Sequence, residues 1–225
     1  MDPILLTSIA PGGSEQQNLC VNSWRDKYSV YSLNKEKEIP ELQREFPWIV
    51  FVVAKNTGEN KFKKPLVSIS EFKELALLLK RDFIIINADI LLTGSIVHYM
   101  NGIGVGTRYD YEDNIENAKA TIMGFDYFYI PFKYVHVLDN MEMYYLGMCW
   151  WDYVLPLRAI QLQIPIYEMR MKIAFHKSHP INYSSHNRRY MEQVVMVMEK
   201  MEGFRETNAK GINIFCYSKI LKHLK

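Results

Sequence analysis

The sequence predicts an α/β fold with a doubly wound parallel sheet in its first half and a mixed sheet in its second. Three features carry that expectation. Over residues 1–90 apolar strand-like runs alternate with helix-like runs, the pattern of a parallel sheet with crossover helices. The run Phe83-Ile-Ile-Ile86 is apolar and β-branched without interruption, which suits a strand covered on both faces. Beyond residue 92 the chain turns irregular and aromatic-rich, and the strict alternation is lost.

Element by element, Ile4 to Ile9 reads as a strand, and Pro11-Gly-Gly13 turns the chain into Ser14-Glu-Gln-Gln17, a capping-box start for a helix reaching about Trp24. A second strand, Tyr28 to Leu33, leads through Asn34 to a short helix that begins at Pro40 and ends before Pro47. Ile49 to Val53 forms the third strand. After a polar, Lys-rich loop from Lys55 to Lys64, Ser70 to Lys80 forms a helix whose Phe72, Leu75, Ala76 and Leu79 share one face. The second half supplies strands at Gly102 to Thr107, Phe125 to Ile130 and Met171 to Phe175, and a helix from about Trp151 to Leu162 with Trp151, Val154, Leu155 and Ala159 inward. From Asn187 an amphipathic helix (Tyr190, Val194, Met198, Met201) precedes a short apolar strand, Ile212 to Tyr217.

A chain of 225 residues, 48% of them hydrophobic, can bury a sizeable core in one domain. Its net charge of +2, with basic residues scattered along the chain, makes no electrostatic case for a nucleic-acid partner. Cys20, Cys149 and Cys216 form no CxxC pair and lie in apolar surroundings, as reduced structural thiols of a cytoplasmic protein would. No stretch reaches membrane-spanning length, and the N-terminus lacks the positive flank and long apolar region of a secretory signal.

The chemistry-bearing residues gather at the ends of these elements. The strand Phe83–Ile86 stops at Asn87-Ala-Asp89, whose spacing puts both side chains on one side of an extended backbone, beyond the carboxyl end of the strand where α/β sheets bind ligands. Oxygen ligands there suit a hard divalent cation shared with a diphosphate; equally, Asn and Asp are ordinary strand-ending residues. In Leu146-Gly147-Met-Cys-Trp150-Trp151-Asp152 a glycine open to close substrate approach precedes a carboxylate at a helix start. Asp152 reads either as a helix cap or as a general base, and the two tryptophans either as sugar platforms or as core. His176 and His179 are two of the six histidines of the chain, placed together at a strand end, where one of them can complete a metal site with Asp89. Their His-x-x-His spacing has no cysteine partners, so it is not a zinc site. Lys177 between them is either a phosphate contact or a solvated side chain. Arg108 and Asp110, and beyond them Asp126, put charges among aromatics: a simple ion pair, or an arginine facing a diphosphate-sugar with carboxylates reading sugar or acceptor hydroxyls.

The order of these motifs resembles the GT-A fold of nucleotide-sugar glycosyltransferases, with a DxD-type metal motif, a glycine loop, an acidic xED-type motif and a late metal-binding histidine. The matching positions are Asn87-Ala-Asp89, Gly147, Trp151-Asp152, and His176 or His179. Compact length and Ser32-Leu-Asn34 after the second strand look closest to the small GT-A domains encoded by large algal DNA viruses, which would place the protein in a host cytoplasm. The resemblance implies a GT-A domain over residues 1–185, with a Rossmann-like nucleotide-binding half (1–92) and an acceptor half (93–185). Residues 186–225 form a helix-and-strand extension, read as a linker to a further domain or its beginning. It also implies that Thr7, Ser8 and Asn34 surround the nucleoside, that Mn2+ or Mg2+ is the cofactor, and that a UDP-sugar and a glycan hydroxyl are the substrates of an inverting transfer. Asn87 departs from the family's aspartate, leaving Asp89 as the main anionic ligand and giving the amide to ribose or a metal-bound water.

Two rivals stand beside this expectation. A sugar-nucleotide nucleotidyltransferase would carry a basic glycine loop after the first strand, whereas Pro11-Gly-Gly13 is followed by no Arg or Lys before Arg25. A catalytically silent sugar-binding domain would keep the aromatic cleft without turnover.

Overall fold

The computed structural model describes residues 2–96, 101–121, 124–148, 150–178, 198–199 and 209–225. Its first half follows the predicted order, with a single-turn helix, α3, added inside the predicted loop: β1 (Ile4–Thr7), α1 (Glu15–Asn22), β2 (Val30–Asn34), α2 (Ile39–Glu45), β3 (Val50–Val53), α3 (Glu59–Phe62), α4 (Ile69–Leu79) and β4 (Phe83–Ile86). Local chemistry accounts for the helix starts. The Ser14 hydroxyl accepts from the Gln17 amide, Ser68 accepts from Ser70, and Pro40 sits in the first turn of α2, where no donor is needed. Then come β5 (Ile90–Leu92), β6 (Ile103–Gly106), β7 (Tyr109–Tyr111), β8 (Lys119–Ala120), β9 (Tyr127–Ile130), α5 (Trp151–Gln161), β10 (Ile166–Met169), β11 (Ala174–Lys177) and α6 (Ala209–His223).

The large sheet has the order β10-β6-β9-β4-β1-β2-β3 and is mixed, with a parallel majority. The pairs β1–β2, β2–β3, β1–β4 and β6–β10 are parallel, while β9 runs antiparallel to both β4 and β6. Alternate residues of its central strands enter two cores. Ile4, Leu6, Phe83 and Ile85 pack with Phe72 and Ala76 of α4, Val154 and Leu155 of α5, and Ile212, Cys216 and Ile220 of α6. On the other face Leu5, Ile84 and Ile86 meet Val21, Trp24, Leu42 and Phe46. Each such side chain contributes about 1.5–3 kcal/mol on burial, which is why β4 carries no polar residue.

A second, four-stranded sheet of order β5-β11-β7-β8 lies beyond the carboxyl end of β4. Its strands are short; β5, β7 and β8 here, and β10 in the large sheet, are additions to the sequence reading. The predicted strand Ile212–Tyr217 is a correction: these residues lie within α6. A short apolar run does not distinguish a strand from a buried helix, and here the buried positions Ile212, Cys216 and Ile220 recur every four residues, the helical spacing. The helix packs on α5 and returns its end to the sheet, with the Lys225 amide donating to the Ile166 carbonyl at 3.0 Å. Of the amphipathic helix expected from Asn187, only Met198 and Glu199 are among the described residues.

Candidate functional site

One reversed strand assembles the site. Because β9 runs against its neighbours, its first residues sit at the same edge as the last residues of β4 and β6. Asp126, just before β9, therefore meets Asn87, just after β4, and Arg108, just after β6. The Asn87 amide extends the ladder to the Asp126 carbonyl at 3.0 Å, and its Nδ2 donates to Asp126 Oδ1 at 2.6 Å. Arg108 Nη1 pairs with Asp126 Oδ2, and Arg108 Nε lies 2.9 Å from Asp110 Oδ1.

The small sheet supplies the other half. His176 on β11 is in register with Asp110 on β7 and Ile90 on β5, so its ring lies between two carboxylates. Nδ1 is 3.1 Å from Asp110 Oδ1, and Nε2 is 3.6 Å from Asp89 Oδ2. Asn87 and Asp89 do not project side by side from an extended strand, as the spacing predicted. The strand ends at Ile86 and the chain turns before β5, which aims Asn87 at Asp126 and Asp89 at His176.

Asp152 approaches from α5. The capping alternative fails, since Trp150 holds the cap position in a left-handed conformation (φ +64°) and makes no side-chain cap bond. Asp152 lies in the first turn, and its Oδ2 accepts instead from the Phe125 amide at 2.9 Å, one residue before Asp126.

The charges are strongly coupled. Burial, and after it the negative charge of Asp126, pushes the Asp152 carboxyl up to about 7. Burial also raises Asp126, against the pull of Arg108. For Arg108 burial opposes the charge, but Asp126 and Asp110 outweigh it and hold the guanidinium above its ordinary value. Burial works to lower His176 and to raise Asp89 and Asp110. Their mutual contacts win, so the imidazole rises to about 9 while both carboxyls fall below their ordinary value. The result is a set of four carboxylates around the Arg108 guanidinium and the His176 imidazole, with one carboxyl poised near neutrality.

Other predicted residues lie apart from this cluster. Thr7 is wholly buried, and its hydroxyl donates to the Ile86 carbonyl at 2.8 Å. Asn34 is buried in a latch, taking the Ser32 hydroxyl at 2.7 Å and donating to the Ile9 carbonyl at 2.7 Å and to Glu38 at 3.2 Å. Ser8 is half-buried between them in sequence, after β1. Trp151 is core: its ring meets Phe128 edge-on at 5.4 Å, so the sugar-platform reading does not hold for it, whereas Trp150 is half-buried. Gly147 takes φ +78°, and a side chain there would meet open space. Lys177 follows His176 on β11 and so points to the opposite side, into a groove of about 660 Å³ along α1 lined by Gln16, Asn18 and Asn22. His179 lies outside the described residues. The Phe125 amide and the Gly124 turn were missed by sequence reasoning. A backbone donor has no residue signature, and only Asp126, a charge among aromatics, pointed to that segment.

Among the described residues no group of three or more His, Cys, Asp or Glu side chains is arranged to hold a metal ion, so a metal cage made of protein alone is absent there. The pair Asp89 and His176 fits a partial site. A ligating histidine characteristically gives its other nitrogen to a carboxylate, as His176 Nδ1 does to Asp110, and a hard cation between carboxylate and diphosphate draws its remaining ligands from phosphate and water.

No protein-family model and no curated protein matches the chain. Among solved structures, it is similar to a mannose-1-phosphate geranyltransferase from Thermus thermophilus at 7% identity and a TM-score of 0.39, covering 79% of this chain and 74% of that one. It is also similar to the glycosyltransferase GlyE of Streptococcus pneumoniae at 10% identity and a TM-score of 0.38, covering 98% of this chain and 62% of that one. Likeness at that level defines neither family nor chemistry. Among the described residues no helix is long and apolar enough to cross a membrane.

Proposed function

We propose that the chain is an inverting glycosyltransferase that moves a sugar from a nucleotide diphosphate, a UDP-sugar, to a hydroxyl of a glycan. The observation that carries this reading is the placement of Asp152, held by the Phe125 amide next to the Arg108–Asp126 pair at the carboxyl edge of a parallel-rich sheet, where burial and the charge of Asp126 push its carboxyl up to about 7. That is the acidity a general base needs at physiological pH. Asp152 takes the proton of the acceptor hydroxyl as its oxygen bonds to the anomeric carbon. The bond from that carbon to the diphosphate breaks on the opposite side, and the electron pair leaves with the phosphate.

Arg108 supplies a fixed positive charge beside the leaving group, preorganised by Asp110 and Asp126 so that no reorganisation is needed when charge develops. Asp89 and His176 would hold Mn2+ or Mg2+, which supplies Lewis-acid neutralisation of the diphosphate when bound. Asn87, locked on Asp126, shapes the turn that presents Asp89.

Incubation with a panel of nucleotide sugars, with and without Mn2+ and glycan acceptors, tests the proposal. Acceptor-dependent release of UDP with inverted product is the expected result. Pyrophosphate-dependent cleavage of the nucleotide sugar would identify a nucleotidyltransferase instead, and binding without release a silent sugar-binding domain.

A further inference from the structure

Tyr217 on α6 is sixty-five positions beyond Asp152, yet it touches the segment that holds it. Its ring stacks on Phe125, with centroids 5.8 Å apart and planes 21° apart, while Tyr153 meets the Phe125 ring edge-on at 6.1 Å and 84°. Phe125 is the residue whose amide donates to Asp152 Oδ2 at 2.9 Å. On its other side Gly124 adopts φ +96°, and a Cβ there would come within 3.0 Å of the same oxygen. The carboxylate thus rests against a backbone segment with little room to shift, and the ring at its centre is gripped by two aromatic side chains.

The helix bearing Tyr217 is itself anchored. Ile212, Cys216 and Ile220 are wholly buried, Cys216 Sγ lies 3.1 Å from Met198 Sδ, and Leu224 and Lys225 bridge to β10. Tyr217 is only half-buried, so removing its ring opens no large cavity in the core.

We propose that α6 is a positioning element for the general base, acting through the Tyr217–Phe125 stack to fix the amide that orients Asp152. The inference rests on the assignment of Asp152 above and deepens it. Among the described residues, the ionisable groups whose charge acts on or is acted on by Asp152 include Asp126 ahead of β9, Arg108 beyond β6, Tyr153 on α5 and Cys216 on α6. Of the elements that carry them, only α6 reaches the site from the far end of the chain.

The test compares the full chain with Tyr217→Leu and Tyr217→Phe. Loss of the stack should lower kcat by about 10-fold or more while leaving the KM for donor unchanged, since small displacements of a catalytic group are expensive. It should also displace the acidic limb of the pH–rate profile, and Tyr217→Phe, which keeps the ring, should restore both. A second readout needs no turnover: carbon-13 NMR titration of the aspartate side chains should show the Asp152 midpoint moved in Tyr217→Leu and unmoved in Tyr217→Phe. If wild-type protein transfers no sugar, the glycosyltransferase reading fails while the NMR arm still decides the positioning role. Should Tyr217→Leu not fold, Phe125→Leu, which removes the stack from the other side and keeps the amide, carries the same expectations. Wild-type kcat and an unmoved Asp152 midpoint in the leucine variant would overturn the inference, as would a phenylalanine variant that behaves like the leucine one.

Discussion

Nδ1 of His176 lies 3.1 Å from Oδ1 of Asp110, because β11 and β7 pair in parallel with these two residues in register. A strand register therefore sets the orientation of the imidazole, and with it the direction in which Nε2 faces Asp89.

Asp110→Asn is expected to weaken Mn2+ binding in the presence of UDP by about 10- to 100-fold, the usual effect of removing the carboxylate that orients a ligating histidine. Isothermal calorimetry decides it, and a metal affinity equal to wild type would remove His176 from the metal site.

Asp89→Ala should abolish metal-dependent donor binding with the fold intact. Its side chain is nearly half exposed, at 46%, and it belongs to neither core. Unchanged circular dichroism together with lost Mn2+-dependent UDP affinity is the expected pair of results; preserved affinity would exclude Asp89.

Arg108 holds two carboxylates at once, so Arg108→Ala leaves Asp126 buried and unpaired by it beside Asp89 and Asp152. Breaking a buried pair from one side destabilises by roughly 3 kcal/mol or more. Urea denaturation measures this, and a loss below about 1 kcal/mol, the value of an exposed pair, would show that the network is weakly coupled.

Much of the first half was legible because its signals are local. Ser14 and Pro40 mark helix starts by their own chemistry, and four apolar residues before Asn87 mark a strand buried on both faces. The strands β5, β7 and β8 were not, since two or three residues hold a strand only through their partners. Asp89, Asp152 and His176 stood out as ionisable groups at element ends. The centrality of Arg108 did not, because its pairing with Asp126 depends on β9 running backwards, which no local pattern encodes. Thr7 and Asn34 show the converse: small polar residues at strand ends that look open to a ligand are consumed by Ile86, Ile9, Ser32 and Glu38.

Asp152→Asn separates catalysis from stability most sharply. The amide keeps the size and an oxygen to accept from Phe125 but cannot take a proton, so turnover should fall by roughly 10²-fold or more while donor affinity stays level. In the wild type, kcat should rise with pH through about 7 as Asp152 ionises, and that limb should vanish in the variant. Stability should move the other way. The folded carboxyl titrates near 7 and the unfolded one near 3.8, so between those values the folded chain holds the extra proton and wild-type stability declines as pH rises. The asparagine variant escapes that decline. It should be more stable by about 1–3 kcal/mol at pH 8, a few degrees in Tm, with the gain disappearing below about pH 4. Thermal melts of both proteins at pH 4 and pH 8 supply the measurement. An equal Tm at pH 8 would mean that the carboxylate is not held against its own ionisation, and near wild-type turnover or a product of retained configuration would take the base assignment down with it.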